Sequence, residues 1–129
     1  MYISPTERIK KIHIWIGTTA KNEEEYNLYF DQEESPSQFA IDIGLNGDYD
    51  EDFIGIIPIF PEEKSVGAVL KEETPLHPSD FILAETKCEK LGIKSANAVF
   101  YLTDSSVVVD GSSSRHNDLF YLGIFNNSF

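Results

Sequence analysis

Between Lys11 and Gly17 the chain alternates, with Ile12, Ile14 and Ile16 on one side of an extended backbone and His13 and Trp15 on the other. A period of two predicts a strand, and the all-isoleucine side predicts a core face. Gly17, Thr18 and Thr19 end the run. Asn22, with Glu25 three positions on, forms the capping-box pattern that opens a helix. Tyr26, Tyr29 and Phe30 follow at helical spacing and predict its inward face. After the acidic link Asp31 to Glu34, Ser35 predicts the cap of a second helix with Pro36 in its first position. Phe39, Ala40 and Ile43 point inward in that helix, and Gly44 stops it.

From Leu45 to Asp52 the chain is polar, with Asn46-Gly47 as a turn dipeptide; Phe53 to Phe60 then predicts a strand, which Pro58 places near a sheet edge or strand end. Ser65 to Leu70 predicts one helical turn. A longer helix opens at Ser79 or Asp80, turns Phe81, Ala84, Cys88 and Leu91 to one face and ends at Gly92. Ala96 to Leu102 and Leu119 to Phe125 predict strands, Val107 to Val109 a short one, and Asp110 to Asn117 a polar loop. No internal repeat is visible. Helices clustered between strands, with a hairpin at the end, lack the alternation of a doubly wound parallel sheet. The expected class is α+β: an antiparallel or mixed sheet of four to five strands, helices packed mainly on one face, and Trp15 sharing a core with the other aromatic positions.

A chain of 129 residues fits one domain, and a 41% hydrophobic content is too high for disorder. Twenty-two Asp and Glu against ten Lys and Arg give a net charge of -12, which repels phosphate backbones and argues against direct nucleic-acid binding. Cys88 is the lone cysteine, so no intrachain disulfide can form and a reducing compartment is expected. The segment Met1 to Lys11 has no apolar signal-peptide core, and no apolar stretch approaches the ~20 residues of a membrane span. A cytoplasmic protein without a membrane partner is the expectation.

Few motifs carry chemistry. Asp48, Asp50 and Asp52 match the start of a calcium loop, but Phe53 stands where glycine is needed and Ile59 where the bidentate Glu belongs. His13, His77 and His116 are isolated in sequence, so no metal site is expected; His116, beside Arg115 in a Ser-rich loop, is expected to be exposed. Cys88 reads as a core thiol. No glycine-rich phosphate loop follows any strand. A carboxylate pair for hydrolysis needs no local signature, so a small acidic carboxylate-dependent hydrolase stays open.

Charge placement is the most distinctive feature: between Lys21 and Lys64 lie 13 acidic residues and no Lys or Arg. A solvated surface and an acidic face that steers a basic protein partner both account for such a run. Tyr26, Tyr29 and Tyr49 lie among these carboxylates, as interface anchors or, for the first two, as core.

Several segments, in order, resemble the immunity protein 22 family, bacterial proteins found beside polymorphic toxins. They are Ile14-Trp15-Ile16-Gly17, Glu23-Glu24-Glu25-Tyr26 to Tyr29-Phe30, Ser37-Gln38-Phe39, Tyr49-Asp50-Glu51-Asp52-Phe53-Ile54, and Phe120-Tyr121-Leu122-Gly123-Ile124-Phe125. The resemblance covers most of the chain and implies a single immunity-protein-like domain over 1–129 that binds and neutralises a cognate toxin domain. It implies no reaction, cofactor or catalytic residue. Joined to the charge placement, it makes Glu33, Glu34, Asp48, Tyr49, Asp50, Glu51 and Asp52 the expected partner-binding residues, with a basic nuclease as one candidate toxin. A regulatory protein-binding domain unrelated to toxins is the remaining alternative, and the oligomeric state is left open.

Overall fold

The computed structural model describes residues 7, 9–33, 36–45, 51–109 and 115–128, with Glu51 described by its backbone alone. Its elements are β1 (Lys11–Gly17), α1 (Glu23–Leu28), α2 (Gln38–Asp42), a 3-10 turn (Glu51–Phe53), β2 (Ile54–Ile56), β3 (Lys64–Ser65) and α3 (Val66–Glu73). A second 3-10 turn (Pro78–Asp80), α4 (Phe81–Lys90), β4 (Ser95–Ala96), β5 (Ala98–Leu102), β6 (Arg115–His116) and β7 (Leu119–Asn126) follow. Among the described residues, five strands form an antiparallel sheet in the order β2-β5-β1-β7-β6, and β3 and β4 form a separate two-stranded ribbon. The class is α+β, as the pattern of the chain predicts.

β1 sits at the centre of the sheet and organises both sides of it. Ile12, Ile14 and Ile16 join Val66, Val69 and Leu70 of α3 and Ala84 and Cys88 of α4 in one core. On the opposite side Trp15 joins Tyr26, Tyr29 and Phe30 from α1 and the turn after it, Phe39 and Ala40 of α2, Ile43, and Phe100 of β5. The helices are therefore divided between both faces and not gathered mainly on one, the two longer sharing one face and the two short ones covering the other. A central strand with large side chains on both sides needs both of them shielded from water.

Local chemistry explains the boundaries. Asn22 Oδ1 accepts from the Glu25 amide at 2.8 Å and Glu25 Oε1 from the Asn22 amide at 3.3 Å, completing the capping box of α1. The cap of α2 is Ser37, whose Oγ accepts from the Ala40 amide at 3.0 Å; Ser35, the predicted cap, lies outside the described residues. Gly44 ends that helix at φ 83, a left-handed conformation that glycine adopts without strain. The predicted strand Phe53 to Phe60 pairs only over Ile54–Ile56, at the sheet edge, because Pro58 has no amide hydrogen to continue the ladder. Ser65 opens a helix that runs to Glu73, longer than the single turn predicted. In α4 Ala84 and Cys88 are buried, but Leu91, the capping residue just past its end, is exposed. Val107 to Val109 form no strand: Asp104 Oδ1 takes the Ser106 amide at 2.9 Å and holds a turn there. Asn117 and Asp118, both at positive φ, make the two-residue turn of the β6-β7 hairpin.

Candidate acidic interface

The face built on Trp15 carries the acidic run. Phe100 stacks on the Trp15 indole at 4.8 Å, while Phe39 meets it edge-on at 5.2 Å and also contacts Phe30 and Phe100 at 5.5 Å. These rings anchor the inward sides of α1 and α2, so the outward sides present whatever charge the chain supplies. That charge is of one sign: Glu23, Glu24 and Glu25 on α1, Asp31 and Glu33 on the turn after it, and Asp42 on α2. The helices of the other face mix signs, with Lys71, Glu72 and Glu73 on α3 and Glu85, Lys87, Glu89 and Lys90 on α4. The two short helices are thus acidic without a Lys or Arg of their own, while Lys21, just before α1, lies over the Tyr29 ring at 5.7 Å.

Some of these carboxylates are committed to the fold. Asp42 Oδ2 accepts from the Tyr29 hydroxyl at 2.7 Å, and its Oδ1 from Gln38 Nε2 at 2.8 Å. Burial, reinforced by that hydrogen bond, pushes the Tyr29 phenol pKa far upward. Burial does the same for Tyr26, with a smaller contribution from Glu23. Both tyrosines are therefore core residues and not interface anchors. Glu23 Oε1 accepts from the Ile59 amide at 2.5 Å, tying α1 to the segment after β2.

Between α1 and that segment lies an open groove of about 640 Å³, lined by Glu23, Glu24, Asn27, Leu28, Phe30, Asp31, Glu33, Ile56 and Pro58. Of the predicted partner-binding residues, Glu33 lines this groove and its amide donates to Asp31 Oδ1 at 3.0 Å. Asp52, exposed on the 3-10 turn, lines a different depression with Ile9, Phe53, Ile54, Pro75, Tyr101 and Thr103. Glu51 stands on the same turn as Asp52. Glu34, Asp48, Tyr49 and Asp50 lie outside the described residues, as does most of the calcium-like loop. Glu24, Leu28 and Asp31 were not among the predicted partner-binding residues. Their spacing with Asn27 at i, i+3, i+4 and i+7 is a second stripe opposite the tyrosines, readable in the sequence.

Polar chemistry elsewhere serves packing. The Asp104 carbonyl, which can only accept, lies 3.1 Å from His13 Nε2, so that nitrogen carries the proton and Nδ1 accepts from the Tyr121 hydroxyl at 2.7 Å. Burial lowers the His13 pKa, against raising contributions from the Asp104 and Val107 backbones and the Asp104 charge. His116 corrects an expectation: it is buried, because β6 pairs with β7 and its Nδ1 accepts the Trp15 indole N–H at 3.0 Å. His77 Nδ1 takes the Ser79 amide at 3.1 Å at the start of the 3-10 turn. Cys88 is fully buried, and burial pushes its thiol pKa to about 11, with a smaller push from Glu85. A cleft at the end of β1 holds Glu63 and Asp118, but Glu63 accepts from Thr18 and Ser95, and Asp118 from Thr19. Among the described residues no His, Cys, Asp or Glu form a metal-binding group, and no helix is long and apolar enough to cross a membrane.

The fold is an α+β domain of net charge -12 whose helices α1 and α2 carry acidic side chains and no Lys or Arg. Its family is that described as immunity protein 22: the family model matches residues 12–127, and the chain belongs to this family. No curated protein and no solved structure matches it. Membership accords with neutralising a toxin as a non-enzymatic inhibitor that binds its partner protein.

Proposed function

We propose that this protein is a cytoplasmic immunity protein that neutralises a cognate bacterial toxin, with a basic nuclease domain as the favoured target, by stoichiometric binding through its acidic face. The supporting observation is that both helices on the aromatic side of the sheet carry acidic side chains and no Lys or Arg, while the other two helices carry both signs. Concentrating like charge costs self-repulsion, which a basic partner relieves on binding. Complementary charge raises the association rate, and buried contacts set the lifetime of the complex. The single domain docks with the surface from Glu33 and Glu34 to Asp48, Tyr49, Asp50, Glu51 and Asp52, covering the functional surface of the toxin.

Co-expression with the toxin encoded beside this gene tests the reading. A complex recovered on the tagged protein, together with restored growth, is the expected result. A folded protein that neither binds nor protects overturns it. Replacing Asp50, Glu51 and Asp52 by Asn or Gln tests the docking surface within that reading: weaker binding supports it, and unchanged affinity with a native fold removes that turn from the interface.

A further inference from the structure

We infer that the groove between α1 and the β2 edge is the anchor point of the complex, receiving a Lys or Arg side chain from the toxin. The inference rests on the immunity reading and adds to it a particular pocket. The groove combines two chemistries. Leu28 is 61% exposed, and with Phe30, Ile56 and Pro58 it supplies an apolar lining. Carboxylates surround that lining: Glu24 precedes Leu28 by one helical turn, Asp31 follows it by three residues, and Glu33 completes the rim.

These carboxylates are unequally free. Glu23 already accepts the Ile59 amide and Asp31 the Glu33 amide. The Glu24 and Glu33 carboxylates make no hydrogen bond or ion pair with other described residues. A long aliphatic stem bearing a cationic head matches both parts: the stem covers Leu28 and Ile56, and the head reaches Glu24 and Glu33. An anionic ligand would be repelled by the carboxylates, and a purely apolar one would leave them unpaired. Ile41, also exposed on this side of the sheet, lies outside the groove lining.

Binding kinetics against the purified toxin encoded beside the gene test this directly. The double variant E24Q/E33Q keeps side-chain size and removes two charges; L28A removes the apolar lining. As control, E72Q/E89Q removes two exposed charges from the opposite face. The expected result is an affinity loss of about tenfold or more for E24Q/E33Q, mostly in association rate, and a faster dissociation for L28A. The control stays within about twofold, because exposed charges far from an interface act only through net charge. Circular dichroism establishes that each variant is folded. Parent-like kinetics in both groove variants, or an equal loss in the control, overturns the inference while leaving the immunity reading intact. Failure of the parent itself to bind overturns that reading instead.

Discussion

Phe39→Ala removes the ring that links α2 to the rest of the aromatic core. Phe39 is fully buried and, among the described residues, contacts the rings of Trp15 at 5.2 Å, Phe30 and Phe100 at 5.5 Å and Tyr29 at 6.0 Å. A buried aromatic side chain removes ~150 Å² or more from water, which at ~25 cal/mol per Å² is about 4 kcal/mol. Cavity data for Phe→Ala span about 3 to 5 kcal/mol, in agreement. Domains of this size are stable by only about 5 to 15 kcal/mol, so the loss consumes much of the margin. Trp15, the sole tryptophan, lies against Phe39 and reports on this packing by its emission. In urea, with a slope of about 1.5 kcal/mol per M, the midpoint falls by about 2 to 3 M. Ile41→Ala, an exposed change on the same helix, shifts it by less than about 0.5 M, since surface substitutions cost within ~0.5 kcal/mol. A Phe39→Ala midpoint within about 0.5 M of the parent would refute the claim that this cluster supports the acidic face.

Three further outcomes follow from the same geometry. His13 has its pKa lowered in the fold, so the unfolded chain takes up its proton first as pH falls; the stability this residue contributes is present above about 6.5 and is lost as pH falls through the folded value. Urea midpoints across that range should decline for the parent and decline less for His13→Gln, and equal slopes would contradict the assignment. Cys88, buried with its pKa near 11, should react with a thiol reagent at pH 8 only as fast as the fold opens; instant labelling of native protein would contradict its burial. Asn22→Ala removes the capping box of α1 and should cost about 1 kcal/mol by thermal or urea unfolding, with no loss meaning that α1 is held by packing alone.

Residues with a single physical role were legible in the sequence. β1 follows from its alternation, α1 from Asn22 and Glu25, and the burial of Cys88 from its helical spacing with Ala84. Errors arose where a nonlocal partner decides. Ser35 and Ser37 flank Pro36 with equal capping chemistry, and the Phe39 contact with the Trp15 cluster selects the register in which Ser37 caps. His116 looked exposed in a polar loop, but the Trp15 indole N–H, carried on a strand distant in sequence, requires a buried acceptor. The acidic character of the candidate site was readable from the absence of Lys and Arg between Lys21 and Lys64. The groove was not, because its second wall, Ile56 and Pro58, reaches α1 only through the fold.

In the proposed function, complementary charge brings the immunity protein and a basic toxin together. The measurement that tests it most directly is the association rate constant of the parent protein with the purified toxin between 0.1 and 1 M salt, over which the Debye length contracts from about 10 Å to about 3 Å. A steep fall in association rate with a dissociation rate that changes little is the expected result. An association rate that holds constant across the series would contradict electrostatic recognition by the acidic face.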